Sequence, residues 1–145
     1  MQKVNIVCVG KLKEKFWTDA VAEYCKRISR FADIRVKELP EKRTLKEESE
    51  PILREMRGTS VVLAVEGEKL SSEKFAQKMK GYADAGKEIT FVIGSSCGLD
   101  ESVKARADLL LSFSDMTFPH QLMRVILCEQ IYRAYMINAG SEYHK

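Results

Sequence analysis

The stretch Phe91-Val92-Ile93-Gly94-Ser95-Ser96-Cys97-Gly98 decides how this chain is read, together with Leu109-Leu110-Leu111-Ser112-Phe113 and Ser114-Asp115-Met116-Thr117-Phe118-Pro119-His120-Gln121. Each apolar run is short, is closed by small or polar residues, and leads toward a helical pattern. Such runs are strands buried on both faces, as in a parallel sheet. Ligands bind parallel sheets beyond the carboxyl ends of the strands, where these two loops would lie. Glycine at 94 and 98 lets backbone approach a ligand closely, or simply makes a turn. The spacing is not that of a dinucleotide-binding fingerprint, and neither is Gly10-Lys11-Leu12-Lys13.

The same pattern extends outward in both directions. Val4 to Val9 reads as a strand closed by Gly10. Phe16, Ala20, Tyr24 and Ile28 give a helix over 14–30. Ile34, Val36 and Leu39 suggest a second strand ended by Pro40. Thr44 and Glu47 form a capping box, and the helix that follows should kink or restart near Pro51 and end at Gly58. Val61 to Val65 is a third strand. Ser71 caps a helix through Tyr82, Ile89 to Ile93 is a fourth strand, and Asp100 caps a short helix to Ala107. Leu109 to Phe113 is the fifth strand. Alternating strands and helices predict one α/β domain over 1–145, with a mainly parallel sheet flanked by helices.

The helix between Pro119 and Gly140 carries apolar residues in nearly every direction, which requires burial all round. A small domain does not supply that cover easily, so a homodimer is expected. His120, Gln121 and Arg124 cluster at one end. Glu129 and Arg133 form an i,i+4 pair on the roughly opposite side.

The chain has 145 residues, is 45% hydrophobic and 31% charged, and carries a net charge of +3. This composition predicts a folded domain with its own core. A mild positive charge permits an RNA partner without demanding one. The first apolar run is too short to span a membrane and lacks a cleavage pattern, which points to the cytosol. Cys8, Cys25, Cys97 and Cys128 are widely spaced, so no metal is expected. The terminal Tyr143-His144-Lys145 reads either as a frayed end or as groups that stack on a base, move a proton and meet a phosphate.

Several segments resemble the RlmH family. They include Val9-Gly10-Lys11-Leu12-Lys13-Glu14-Lys15-Phe16-Trp17, Glu23-Tyr24-Cys25-Lys26-Arg27-Ile28, Leu70-Ser71-Ser72-Glu73, Phe91-Val92-Ile93-Gly94, the stretch 111–121, Glu129-Gln130-Ile131-Tyr132-Arg133-Ala134 and the terminal Tyr143-His144-Lys145. The family's members are large-subunit ribosomal RNA pseudouridine N3-methyltransferases of the SPOUT class. The resemblance implies a SPOUT-type α/β fold with a C-terminal trefoil knot, a homodimer, and S-adenosylmethionine as cofactor. It also implies a pseudouridine in helix 69 of 23S ribosomal RNA as substrate, presented by the 70S ribosome. Knots are too rare for periodicity to have suggested one. Carried onto this chain, the cofactor positions are Leu63, Gly94, Phe113, Ser114, Asp115, Met116, Thr117 and Phe118. Tyr143 and His144 reach toward the nucleotide. His144 is the first candidate for the base and His120 the second. Arg124 and Lys145 are candidates to hold phosphate.

The chain departs from the family in two places. The family usually has Gly-Gly-Ser-x-Gly where this chain has Gly94-Ser95-Ser96-Cys97-Gly98. Ser95 weakens cofactor binding if that position needs positive φ or is crowded by the ligand. The region 40–58 looks shortened and is expected to alter the surface rather than the site. The rival readings are a ribosome-binding relative without cofactor affinity and an unrelated nucleotide-binding protein.

Overall fold

A computed structural model describes residues 1–143; His144 and Lys145 lie outside the described residues. The elements are β1 (Gln2–Val9), α1 (Lys15–Ile28), β2 (Ala32–Leu39), α2 (Leu45–Glu55), β3 (Thr59–Lys69), α3 (Ser72–Asp84), β4 (Ile89–Ile93), α4 (Glu101–Ala105), β5 (Leu109–Ser112) and α5 (His120–Asn138). The strands form one sheet in the order β2-β1-β4-β3-β5, and every pairing is parallel.

Strand alternation sorts the core onto two faces. Val4, Ile6, Cys8, Ile89, Phe91, Ile93, Val61, Leu63, Leu109 and Leu111 pack with α1, α3 and α5. Val7, Val9, Val62 and Val92 turn the other way, onto Ile52 and Met56 of the α2 segment and Leu99 and Val103 around α4. The helices begin where their caps predict. Thr44 Oγ1 accepts from Glu47 N–H at 3.1 Å, Ser71 Oγ from Lys74 N–H at 3.1 Å, and Asp100 Oδ2 from Ser102 N–H at 3.1 Å. The Asp100 carboxyl is held below its usual range by the Ser102 hydroxyl and N–H. Pro51 neither ends nor restarts α2, which runs through it as one helix.

β3 departs most from its sequence expectation. It is longer than 61–65, and its pairing with β5 jumps from Leu63↔Leu111 to Glu68↔Leu111. Residues 64–67 are thereby pushed out of the ladder. Gly67 marks the return: a Cβ there would lie 2.7 Å from the Leu110 carbonyl, so only glycine fits. This bulge forms part of the site.

α5 lies against α1 and α3. Leu127, Cys128, Ile131, Tyr132 and Ala134 are buried, while Leu122, Val125, Ile126, Met136 and Ile137 stay half-buried. Leu122 and Ile126, one turn apart, are not packed on the core cluster. After the helix, Gly140 adopts φ +74 and Ser141 N–H donates to Met136 O at 3.0 Å, which closes the end.

Candidate active site

Three adjacent strands, β4, β3 and β5, deliver their carboxyl ends to one place. A cavity of about 310 Å³ opens there. One wall is Leu63 and the bulge residues Ala64, Val65 and Glu66. The second is the loop Gly94 to Leu99. The third is Ser112, Phe113, Ser114, Met116, Thr117 and Phe118. His120 and Met123 of α5 complete it, with Leu111 and Ile93 beneath. The volume is within the range of small-molecule sites, and the lining mixes large apolar side chains with loop backbone.

The cradle at 94–98 is a tight turn. Gly98 N–H donates to Ser95 O at 2.9 Å, and the two residues form an isolated antiparallel bridge. A Cβ on Gly94 would sit 2.4 Å from the Gly98 carbonyl oxygen. Glycine is therefore needed so that the loop can fold back on itself, not for close passage of a ligand. Gly98 has φ +90. Ser95 does not: among the described residues no non-glycine has positive φ. One of the two conditions under which Ser95 would harm binding is thus absent.

The third wall is held by its own hydroxyls. Ser112 Oγ donates to Ser114 O at 3.0 Å, and Ser114 Oγ accepts from Met116 N–H at 3.0 Å. Neither Ser114 nor Thr117 caps α5. Pro119 is its N-cap and no side chain caps it. The first turn of α5 therefore faces the cavity with its backbone donors uncapped by any side chain, a setting that favours negative charge. Lys104 lies at the cavity between Glu66 and Glu101, at 3.3 and 3.6 Å.

Of the sequence candidates, Leu63, Gly94, Phe113, Ser114, Met116, Thr117 and Phe118 all come together in this lining. Asp115 does not; it is exposed and pairs with Lys69 of β3. Arg124 is placed elsewhere. It is 1% exposed, and its guanidinium donates to Glu38 Oε2 at 2.6 Å and to Gly10 O at 2.7 Å. It ties α5 to the ends of β1 and β2, and a buried, paired guanidinium has no surface with which to meet a phosphate.

Tyr143 also stands outside the cavity. Its hydroxyl donates to Glu129 Oε2 at 2.9 Å, its ring meets Tyr132 edge-on at 5.0 Å, and the Arg133 guanidinium lies 4.8 Å from the ring centre. Burial and the Glu129 carboxylate raise its hydroxyl above the usual range. His144 and Lys145, the other tail candidates, fall outside the described residues.

Sequence reasoning missed the bulge residues 64–66, Lys104 and one buried acid. Glu48 of α2 is 6% exposed. It accepts from Lys42 N–H at 2.9 Å and from the Ser95 hydroxyl at 3.4 Å. The region 40–58, remote in sequence from the cavity loop, therefore touches it through Glu48. In a stretch so rich in charge, no pattern singles out Glu48. Among the described residues no group of three or more His, Cys, Asp or Glu is placed to hold a metal ion. No described helix is long and apolar enough to cross a membrane.

Comparison with known proteins adds an independent line. Residues 2–144 match a family described as "Predicted SPOUT methyltransferase". The chain is 47% identical to the ribosomal RNA large subunit methyltransferase H of Streptococcus mutans, covering 99% of each sequence. It is 46% identical to the protein of that name from Lactobacillus acidophilus, covering 98% of this chain and 99% of the relative. Among solved structures, the A. aeolicus TrmH/SpoU tRNA modifying enzyme superposes with TM-score 0.51 at 12% identity, over 97% of this chain and 78% of that one. The SpoU methyltransferase AviRb of Streptomyces viridochromogenes gives 0.51 at 9% identity, over 96% and 61%. At such identities these structures bear on the fold alone.

Proposed function

Because the chain belongs to the SPOUT methyltransferase family, and to its ribosomal RNA large subunit methyltransferase H branch, we propose that the 310 Å³ cavity holds S-adenosylmethionine for methylation of large-subunit ribosomal RNA. The observation that carries this is the meeting of Leu63, Gly94 and five residues of the loop 113–118 at one cavity, at the carboxyl ends of parallel strands. The residues fit the group. Apolar walls at Leu63, Phe113, Met116 and Phe118 suit a purine, and loop backbone at 94–98 and 113–117 offers donors and acceptors for its edge and for a ribose. The uncapped start of α5 suits a carboxylate.

S-adenosylmethionine supplies a methyl group on a sulfonium, open to in-line displacement. The protein's task is alignment, together with removal of the proton from the attacking nitrogen. We assign the target as N3 of a pseudouridine in helix 69 of 23S ribosomal RNA, met on the assembled 70S ribosome in the cytoplasm. His144 remains our first assignment as proton acceptor. His120, which lines the cavity, is the second. Tyr143 holds its own end of the chain at Glu129. Arg124 acts by fixing the start of α5. Asp115 borders the cofactor at the rim. The domain spans 1–145, its two loops close the trefoil, and two copies pair through α5.

The test is transfer of labelled methyl to 70S ribosomes carrying unmethylated pseudouridine, with mass spectrometry of the helix 69 fragment. One methyl on N3 is the expected product; none, or a methyl elsewhere, overturns the reading. Removal of residues 143–145 should abolish transfer while calorimetric binding of S-adenosylmethionine persists.

A further inference from the structure

We propose that Glu48 and Ser95 are positioning residues for the cofactor: a buried carboxylate on α2 sets the shape of the cavity loop through the Ser95 hydroxyl. The proposal rests on the reading of the cavity as an S-adenosylmethionine site. It concerns no group that touches the reacting atoms.

Glu48 is set apart from its neighbours by burial. Glu41, Glu47 and Glu50 in the same stretch are exposed, whereas Glu48 is 6% exposed. A carboxylate taken out of water must be compensated by donors. Among the described residues Glu48 forms no ion pair; its donors are the Lys42 N–H at 2.9 Å and the Ser95 hydroxyl at 3.4 Å. Burial of Glu48 is therefore tied to the presence of a hydroxyl at 95.

Ser95 passes the constraint on. It is 9% exposed, and its Oγ accepts from Cys97 N–H at 3.3 Å while its carbonyl accepts from Gly98 N–H at 2.9 Å. The hydroxyl thus gives its single proton to Glu48 and takes one from the loop backbone. Ser96, Cys97 and Gly98, which line the cavity, are held by this turn. The chain of contacts runs from the loop before α2, through Glu48 and Ser95, to the cavity wall. It gives Ser95 a partner supplied from the 40–58 region.

The consequence is specific. Ser95→Gly, the change toward the family pattern, should weaken binding here, because it leaves a buried carboxylate oxygen without its donor. Glu48→Gln keeps the shape of the side chain but sets an amide N–H₂ against one of two donors. Each of Ser95→Ala, Ser95→Gly and Glu48→Gln should raise the Kd and KM for S-adenosylmethionine about tenfold. Turnover at saturating cofactor should stay within about twofold of wild type. A merely structural lesion would lower the folded fraction, and hence turnover, and leave KM in place.

The experiment is calorimetry with S-adenosylmethionine and ribosome methylation kinetics on wild type, the three single variants and the double variant Ser95→Ala/Glu48→Gln, all below their thermal midpoints. A double variant no weaker than either single one is the expected result, since both cut the same link. Unchanged Kd in the single variants, or independent losses that add in the double, overturns the proposal. If Glu48→Gln does not fold, the KM-against-kcat split of Ser95→Ala alone decides in the same way. Failure of the wild type to bind S-adenosylmethionine would instead overturn the reading of the cavity, and this proposal with it.

Discussion

Gly94 and Cys8 show how much single positions constrain. At Gly94 the smallest side chain already collides: a Cβ would meet Gly98 O at 2.4 Å and Leu99 Cγ at 2.8 Å. Gly94→Ala should therefore displace the cavity loop and reduce S-adenosylmethionine affinity at least tenfold, with an unaltered far-ultraviolet circular dichroism spectrum. Calorimetry that finds wild-type affinity would show that the loop shape is irrelevant to binding. Cys8 is fully buried in β1, and burial pushes its thiol up to about 12, against a smaller opposing pull from Arg124. The folded state thus holds this proton more tightly than the unfolded chain does. Its stabilising effect is complete below the unfolded thiol's value near 9 and is lost as pH rises from there toward 12. Denaturant titrations should show stability falling by up to about 1.4 kcal/mol per pH unit across that window from this group. Cys8→Ala should flatten the fall between pH 9 and 10. An identical slope in the variant would assign it to other groups.

At the scale of elements, what the sequence made legible follows from periodicity. Among the described residues each strand and helix overlaps the run that suggested it, with β3 longer than its apolar core, because burial on both sheet faces leaves a plain imprint on residue choice. Contacts between distant segments leave none. The β3 bulge is marked only by Gly67, which has the look of an ordinary turn residue. Lys104 and Glu48 sit among surface charges of identical composition. Arg124 illustrates the same gap: its type suggested phosphate, and only the fold shows it spent on Glu38 and Gly10. The loops 94–98 and 113–118 were legible as neighbours because each follows a buried strand of a parallel sheet, whose carboxyl ends lie together. Arg124 makes α5 depend on β1. Arg124→Met keeps the aliphatic stem but takes the guanidinium from the Gly10 carbonyl and leaves the Glu38 carboxylate with only the Leu12 N–H at 2.9 Å. It should cost about 3 kcal/mol, as breaking a buried pair does. That is roughly 10 °C in the thermal midpoint for a chain of this size. A midpoint within about 2 °C of wild type would show the guanidinium to be dispensable.

For the whole molecule, the apolar residues of α5 fall into two sets. Ile131 is fully buried within the chain, so a charge there should unfold it. Ile126 and Leu122 lie half-buried off the core cluster, where a second copy would cover them. Ile126→Glu should yield a folded monomer, with wild type sedimenting as a dimer at micromolar concentration. A dimeric variant would move the interface elsewhere, and a monomeric wild type would remove it. The contact of Arg124 with Gly10 has a further consequence, for the order in which this protein becomes complete as it is made. The end of the first strand gains its buried guanidinium donor from a residue in the last helix, and two of the three cavity walls also lie beyond residue 93. A nascent polypeptide that has not yet released α5 lacks both the guanidinium that satisfies the end of β1 and a helix that covers one face of its sheet. Prematurely terminated products should accordingly be open to proteases rather than stably folded.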